Sequence, residues 1–190
     1  MKNNIAILVL MLSFGFSQTG MMTDSGMGVW LNASVMNLDS DVNDSLDPGY
    51  TLGFGYMTDK GIELSLDYWV DYHGADFNPM DFSIMYHMKK DDCNWKFGLR
   101  LADFTDSEDI DNTGNHLVVG AYNNNMMWLT IDHNLSYDDT LFDSPLVSGE
   151  TAISFGKMWT MDTMSLGVSY TAGTDDLDMG WVGVTLGTTF

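Results

Sequence analysis

Eight ionisable side chains carry the chemistry this chain could do: Glu63, Asp67, Asp71, Asp132 and Glu150 with Lys96, Arg100 and His87. Asp81 shares their parity. Such groups can move a proton, hold a cation or neutralise one another as ion pairs. Spacing separates these options. Glu63, Asp67 and Asp71 recur every fourth residue, which on a β-strand turns all three to one face. A nucleophile is harder to assemble. His133 and Ser136 differ in parity and face opposite sides of a strand. Ser83 and His87 share a face, but four residues along a strand separate them by about 13 Å. The pattern therefore predicts a charge network on one strand face, with ion pairing as its main chemistry.

A second constellation is Asp39, Asp41, Asn43 and Asp47, spaced like an acidic calcium loop in which several oxygens take a hard cation. The sixth position, where a glycine is required for the sharp turn, holds Asp44. The expectation is a solvated acidic loop with weak Ca²⁺ binding and no resident cofactor. Sixteen Met are present. A soft-metal site needs convergent thioethers, and the expectation is instead a flexible lipid-facing or gap-filling apolar role. The single Cys93 excludes an intrachain disulfide.

Bulk charge narrows the partners. The 27 Asp and Glu against 7 Lys and Arg leave a formal net charge of −20, which excludes nucleic acid as a partner. A hydrophobic content of 45% is too high for a disordered chain.

The elements that position these residues are read from alternation. In 179–190, Val182, Val184, Leu186, Thr188 and Phe190 share one face, with Trp181, Gly183, Thr185, Gly187 and Thr189 on the other. The same period runs through ten segments: 27–37, 48–58, 61–72, 80–90, 93–104, 115–123, 126–137, 146–159, 163–173 and 179–190. Each is close to the ~9–11 residues with which a tilted strand crosses a bilayer. An eight-strand count is the alternative, should 115–123 and 146–159 fall into loops. The stretch from 52 to 72 aligns with 117–137, Leu52 on Leu117 and Asp67 on Asp132, and places Leu117, Val119 and Ala121 outward if it is a repeat.

Connections alternate in length. "TDKG", "KKDD", "NNN" and "TMD" are tight turns, whereas the longer connections concentrate Asp and hold no Lys or Arg. The first residues, "MKNNIAILVLMLSFGFSQ", read as a signal peptide over 1–17, with Lys2 before a short apolar run and small residues ahead of the cleavage point. Residues 18–190 then form a single domain.

Alternation leaves open which face is wet. Trp30, Trp69, Trp128 and Trp181 lie on the polar face, where solvent gives no reason for them and a filled lumen does. Tyr56, Trp95, Trp159 and Phe190 lie on the apolar face near the tight turns, where amphipathic rings suit a lipid–water boundary. The fold class expected is all-β: an antiparallel up-and-down transmembrane β-barrel of ten strands.

On this pattern, and on the terminal "VGVTLGTTF", the chain resembles the small outer-membrane β-barrel proteins of Gram-negative bacteria, the broad OmpA/OmpX-like barrel group, without a periplasmic domain. The resemblance implies the cell outer membrane as location. It implies outer-membrane lipid, lipopolysaccharide and the barrel-assembly machinery as partners, a monomer, and Phe190 as the assembly signal. Some small barrels of this kind are proteases or lipid-modifying enzymes. The protease type pairs Asp residues with an Asp-x-His element, and here Asp132 and His133 are adjacent and face opposite ways. The functional expectation is a structural or surface-interaction barrel with acidic extracellular loops and no enzymatic activity. The alternative is a small cation-biased pore.

Overall fold

A computed structural model gives the arrangement of residues 22–37, 48–71, 80–105, 111–135, 151–174 and 180–190, apart from the side chains of 36, 37, 71, 103–105 and 111–113. Ten strands follow one another: β1 (Gly26–Asn37), β2 (Pro48–Met57), β3 (Ile62–Asp71), β4 (Met80–Met88), β5 (Cys93–Thr105), β6 (Asp111–Asn123), β7 (Met127–Asn134), β8 (Thr151–Met161), β9 (Met164–Gly173) and β10 (Gly180–Thr189). Each pairs antiparallel with its sequence neighbours, and β10 returns to β1, so the sheet closes. Closure leaves no strand edge unpaired.

The tight turns lie at one end and share a backbone device. Gly61, Asp91, Met126 and Asp162 all have positive φ, one in each connection β2–β3, β4–β5, β6–β7 and β8–β9. A left-handed residue matches the twist of the flanking strands in a short hairpin. The turns are closed by Gly61 N–H to Thr58 O at 2.9 Å, Cys93 N–H to Lys90 O at 2.9 Å and Met126 N–H to Asn123 O at 2.8 Å.

The count of ten matches the expected segments, and the eight-strand alternative is overturned, since β6 and β8 each pair on both sides. Two boundaries differ. β6 starts at Asp111 rather than 115, because pairing with β5 continues out to Thr105↔Asp111. β8, described as Thr151–Met161, ends at Met161 rather than 159, and 146–150 lie outside the described residues. Ladder hydrogen bonds need only backbone, so a hairpin can outrun its apolar alternation.

The two faces are inverted relative to a water-soluble barrel. Along β3, Glu63, Ser65, Asp67 and Trp69 are buried, while Leu64, Leu66, Tyr68 and Val70 are exposed. β4 and β5 repeat this with Phe82, Ile84, Tyr86, Phe97, Leu99 and Leu101 outward. On β6, Leu117 and Val119 are outward, the orientation expected from the alignment with 52–72. Tyr56, Trp95, Trp159 and Phe190 lie on this exposed face near the tight turns. Exposed apolar area of this extent is unfavourable in water and neutral in hydrocarbon.

Followed from pair to pair around the closed sheet, the register returns to β1 displaced by about 12 residues, which tilts the strands by roughly 40°. A ten-strand barrel at that tilt is narrow enough for side chains to fill.

Candidate functional site: the lumen charge network

Inward positions all around the barrel carry the lumen polar groups. The central cluster is built from β4, β5, β6 and β7. Arg100 Nη2 donates to Asp132 Oδ2 at 2.7 Å, and Nη1 lies 3.5 Å from Asp81 Oδ1. His116 Nδ1 lies 2.7 Å from Asp132 Oδ1 and 3.0 Å from Arg100 Nη2. A single ring nitrogen cannot donate to the carboxylate and accept from the guanidinium at once. With its proton on Nδ1, His116 bonds Asp132, and Arg100 keeps its own direct bond to the second oxygen. The register explains the cluster: Arg100 pairs with Ser83 on one side and His116 on the other.

Asp67 and Asp81 are directly paired across β3 and β4. Two like charges so placed repel unless their partners pull them apart. Asp67 accepts a 2.7 Å bond from Trp30 Nε1 on β1, and Asp81 turns toward Arg100 and toward Trp69 Nε1 at 3.4 Å. Trp30 reaches Asp67 by crossing over β2 at Gly53, where a Cβ would overlap the indole. Ser65 and Ser83, also paired across β3 and β4, share a short hydroxyl–hydroxyl hydrogen bond.

A second cluster sits nearer the tight turns. His87 Nε2 lies 2.6 Å from Glu63 Oε2, and Nδ1 lies 3.2 Å from the Tyr122 hydroxyl. A neutral imidazole with its proton on Nε2 meets both demands, donating to Glu63 and accepting from Tyr122. Lys96 is paired in register with His87 and Gly120, and its Nζ lies 6.0 Å from the Trp128 ring centroid. Glu63, Asp67, Asp81, His87 and Lys96 are all buried, at 0–5% exposure. Burying charge to this degree is tolerable only with opposite charge or hydrogen bonds alongside.

Of the sequence-predicted positions, the structure brings Arg100 and Asp132 together, and Glu63 and His87 together. Asp67 accepts its 2.7 Å hydrogen bond from Trp30, across the barrel wall from β1. Asp71 ends β3, and its side chain lies outside the described residues, as do Glu150 and the loop residues Asp39, Asp41, Asn43 and Asp47. Residues 1–21, which hold the expected signal peptide, also lie outside them. Phe190 is 79% exposed, and its backbone exchanges hydrogen bonds with Met27 at 2.8 and 3.3 Å. His133 is on the outer face, where Nδ1 and Thr151 Oγ1 lie 2.9 Å apart in a cross-strand pair near the end of β7 away from the tight turns.

Two members were missed from sequence. His116 and Tyr122 share a face of β6 with Gly114, Val118 and Gly120. Parity could have named both, since Leu117, Val119 and Ala121 were expected outward. Methionine fills part of the lumen near the tight turns. Met22, Met57 and Met158 are buried together with Trp30, and Met126 packs against them. Strands distant in sequence meet at the same depth once the barrel closes, which brings these side chains together.

No family model matches the chain, and no curated protein matches it. Among solved structures, it is similar to the N-terminal β-barrel domain of Pseudomonas aeruginosa OprF, at 14% identity and a TM-score of 0.40, over 87% of this chain and 98% of that one. It is similar to Neisserial surface protein A (NspA) at 10% identity and a TM-score of 0.35, over 87% and 98%. It is also similar to the Salmonella typhi outer membrane phospholipase (OMPLA), crystallised as a dimer with bound calcium, at 11% identity and a TM-score of 0.43, over 97% of each chain.

Proposed function

We propose that this chain is a monomeric outer-membrane barrel with a sealed lumen, and that its work is done at the cell surface by its acidic loops. The observation that carries the reading is the network of side-chain bonds across the lumen. Trp30–Asp67 and Asp81–Arg100–Asp132–His116 together engage β1, β3, β4, β5, β6 and β7. Each group in this chain of bonds is held by a neighbour, which ties strands together across the lumen. The outward apolar band supports a lipid surround, and the interface-level aromatics support its edges.

Export through a cleaved signal peptide and insertion by the barrel-assembly machinery, with Phe190 as its recognition feature, complete the assembly side of the proposal. The loops carry Asp39, Asp41, Asn43 and Asp47 among many acids. Crowded carboxylates recruit counterions, so these loops bind divalent cations weakly and meet lipopolysaccharide phosphates through them. No catalytic role is assigned.

A second reading, a small cation-biased pore, is favoured by charge alone. Glu63, Asp67, Asp81 and Asp132 outnumber Lys96 and Arg100 in the described lumen. Planar-bilayer recording with purified, refolded protein separates the two. The sealed barrel gives no unitary current steps. Reproducible steps with cation preference would overturn it in favour of the pore.

A further inference from the structure

We infer that the turn-side end of the lumen is a binding site for a soft monovalent metal ion, Cu(I) or Ag(I), formed by the thioethers of Met22, Met57, Met126 and Met158 beside Trp30. The site lies apart from the ion-pair network and does not depend on whether the barrel conducts. Four methionines from four separate places in the chain converge here: Met22 ahead of β1, Met57 at the end of β2, Met126 in the β6–β7 turn and Met158 in β8. Met22 and Met57 are each 1% exposed and Met158 is 6% exposed. Thioether sulfur is a soft donor with no charge. It suits Cu(I) and discriminates against the hard cations that the acidic loops attract.

The surroundings are shaped around sulfur and ring. A Cβ at Gly55 would lie 3.0 Å from Met22 Sδ and 2.7 Å from Trp30 Cη2, so bare backbone makes room for both. Trp30 is held at its other end by the 2.7 Å bond to Asp67, which fixes the indole with its six-membered ring toward Met22. An aromatic ring adds attraction for a cation that neutral thioethers alone lack. Met126 adopts φ 57°, an unusual conformation for a non-glycine residue, and its carbonyl accepts the Met158 N–H at 2.9 Å. That backbone conformation places the Met126 side chain on the cluster. A cavity of about 560 Å³ opens beside it at the turn side, touching Met126, Met158 and Asp24, and supplies a route of entry.

Apolar packing alone would be served equally by leucine, and this difference is the test. Cys93 is an exposed thiol that would bind the same ions, so the experiment uses a Cys93→Ser background. The folded barrel in detergent is titrated with Ag(I), and anaerobically with Cu(I), against a competing chelator. Tryptophan fluorescence reports the ion near Trp30. The expected result is one saturable equivalent, unaffected by excess Ca²⁺ or Mg²⁺. The M22L/M57L/M158L variant, which keeps the apolar volume, loses that equivalent. Each single leucine variant weakens binding at least about tenfold, and these variants carry the test if the triple one does not refold. Absence of saturable binding in the Cys93→Ser protein overturns the inference. So does unchanged affinity in folded leucine variants.

Discussion

Arg100 is the side chain on which the most lumen charge depends. It touches Asp132 at 2.7 Å and Asp81 at 3.5 Å, and both carboxylates lose their cation if it is removed. Arg100→Ala is expected to destabilise the barrel by about 3 kcal/mol, because buried charges left unpaired cost more than the pair is worth. Replacing the three together, D81N/R100M/D132N, removes the uncompensated charge and recovers most of that loss. Urea unfolding followed by tryptophan fluorescence checks it; an Arg100→Ala protein unfolding at the wild-type midpoint would show the network bears no stability. Parity alone named Glu63, Asp67, Lys96, Arg100 and Asp132 as inward residues. It could not pair them. Asp67 and Arg100 sit on strands that are not neighbours, and Asp81 on the strand between takes the guanidinium.

Alternation within each strand is the rule of construction, and the outer face gives it a physical consequence. Leu99 lies midway along β5, paired with Ile84 and Leu117, all three exposed. Lys157 is also outward but lies toward the tight turns, with its Nζ 5.6 Å from the Trp159 ring centroid. A lysine at that level can reach the headgroups; one at Leu99 cannot. Leu99→Lys is therefore expected to cost roughly 2–4 kcal/mol for folding into lipid vesicles, against about 0–1 kcal/mol for a lysine near the interface. Equal stability of Leu99→Lys and wild type in bilayers would mean that this face does not meet hydrocarbon. The strand count and faces were legible from period two. The extents of β6 and β8 were not, because backbone pairing rather than side-chain pattern decides where a hairpin ends.

Closure is the property of the whole molecule, and it is made where β10 meets β1. Their pairing runs from Gly28↔Thr189 to Asn37↔Gly180, and the backbone of Phe190 adds its two bonds with Met27. Deleting Phe190 shortens this seam and removes an aromatic ring at interface level. The expected outcome is a reduced yield of the compact, unboiled form in gel mobility, with the residual folded barrel running as wild type. Normal insertion and a full boiled-to-unboiled shift in the deletion would set aside any role for Phe190 in assembly.

What the sequence determined by itself is local. Period-two alternation names the strands, their two faces and the set of inward charges, since each side chain's face depends only on its own strand. Which inward residues meet was decided by the tertiary structure. A register displaced by about 12 residues around the barrel slides every strand relative to the next, and only closure sets that value. Depth counted along single strands gave each inward residue a level in the barrel but not its partners. The closed barrel gave Asp67 to Trp30, joined His116 to Asp132, and gathered Met22, Met57, Met126 and Met158 at one end of the lumen.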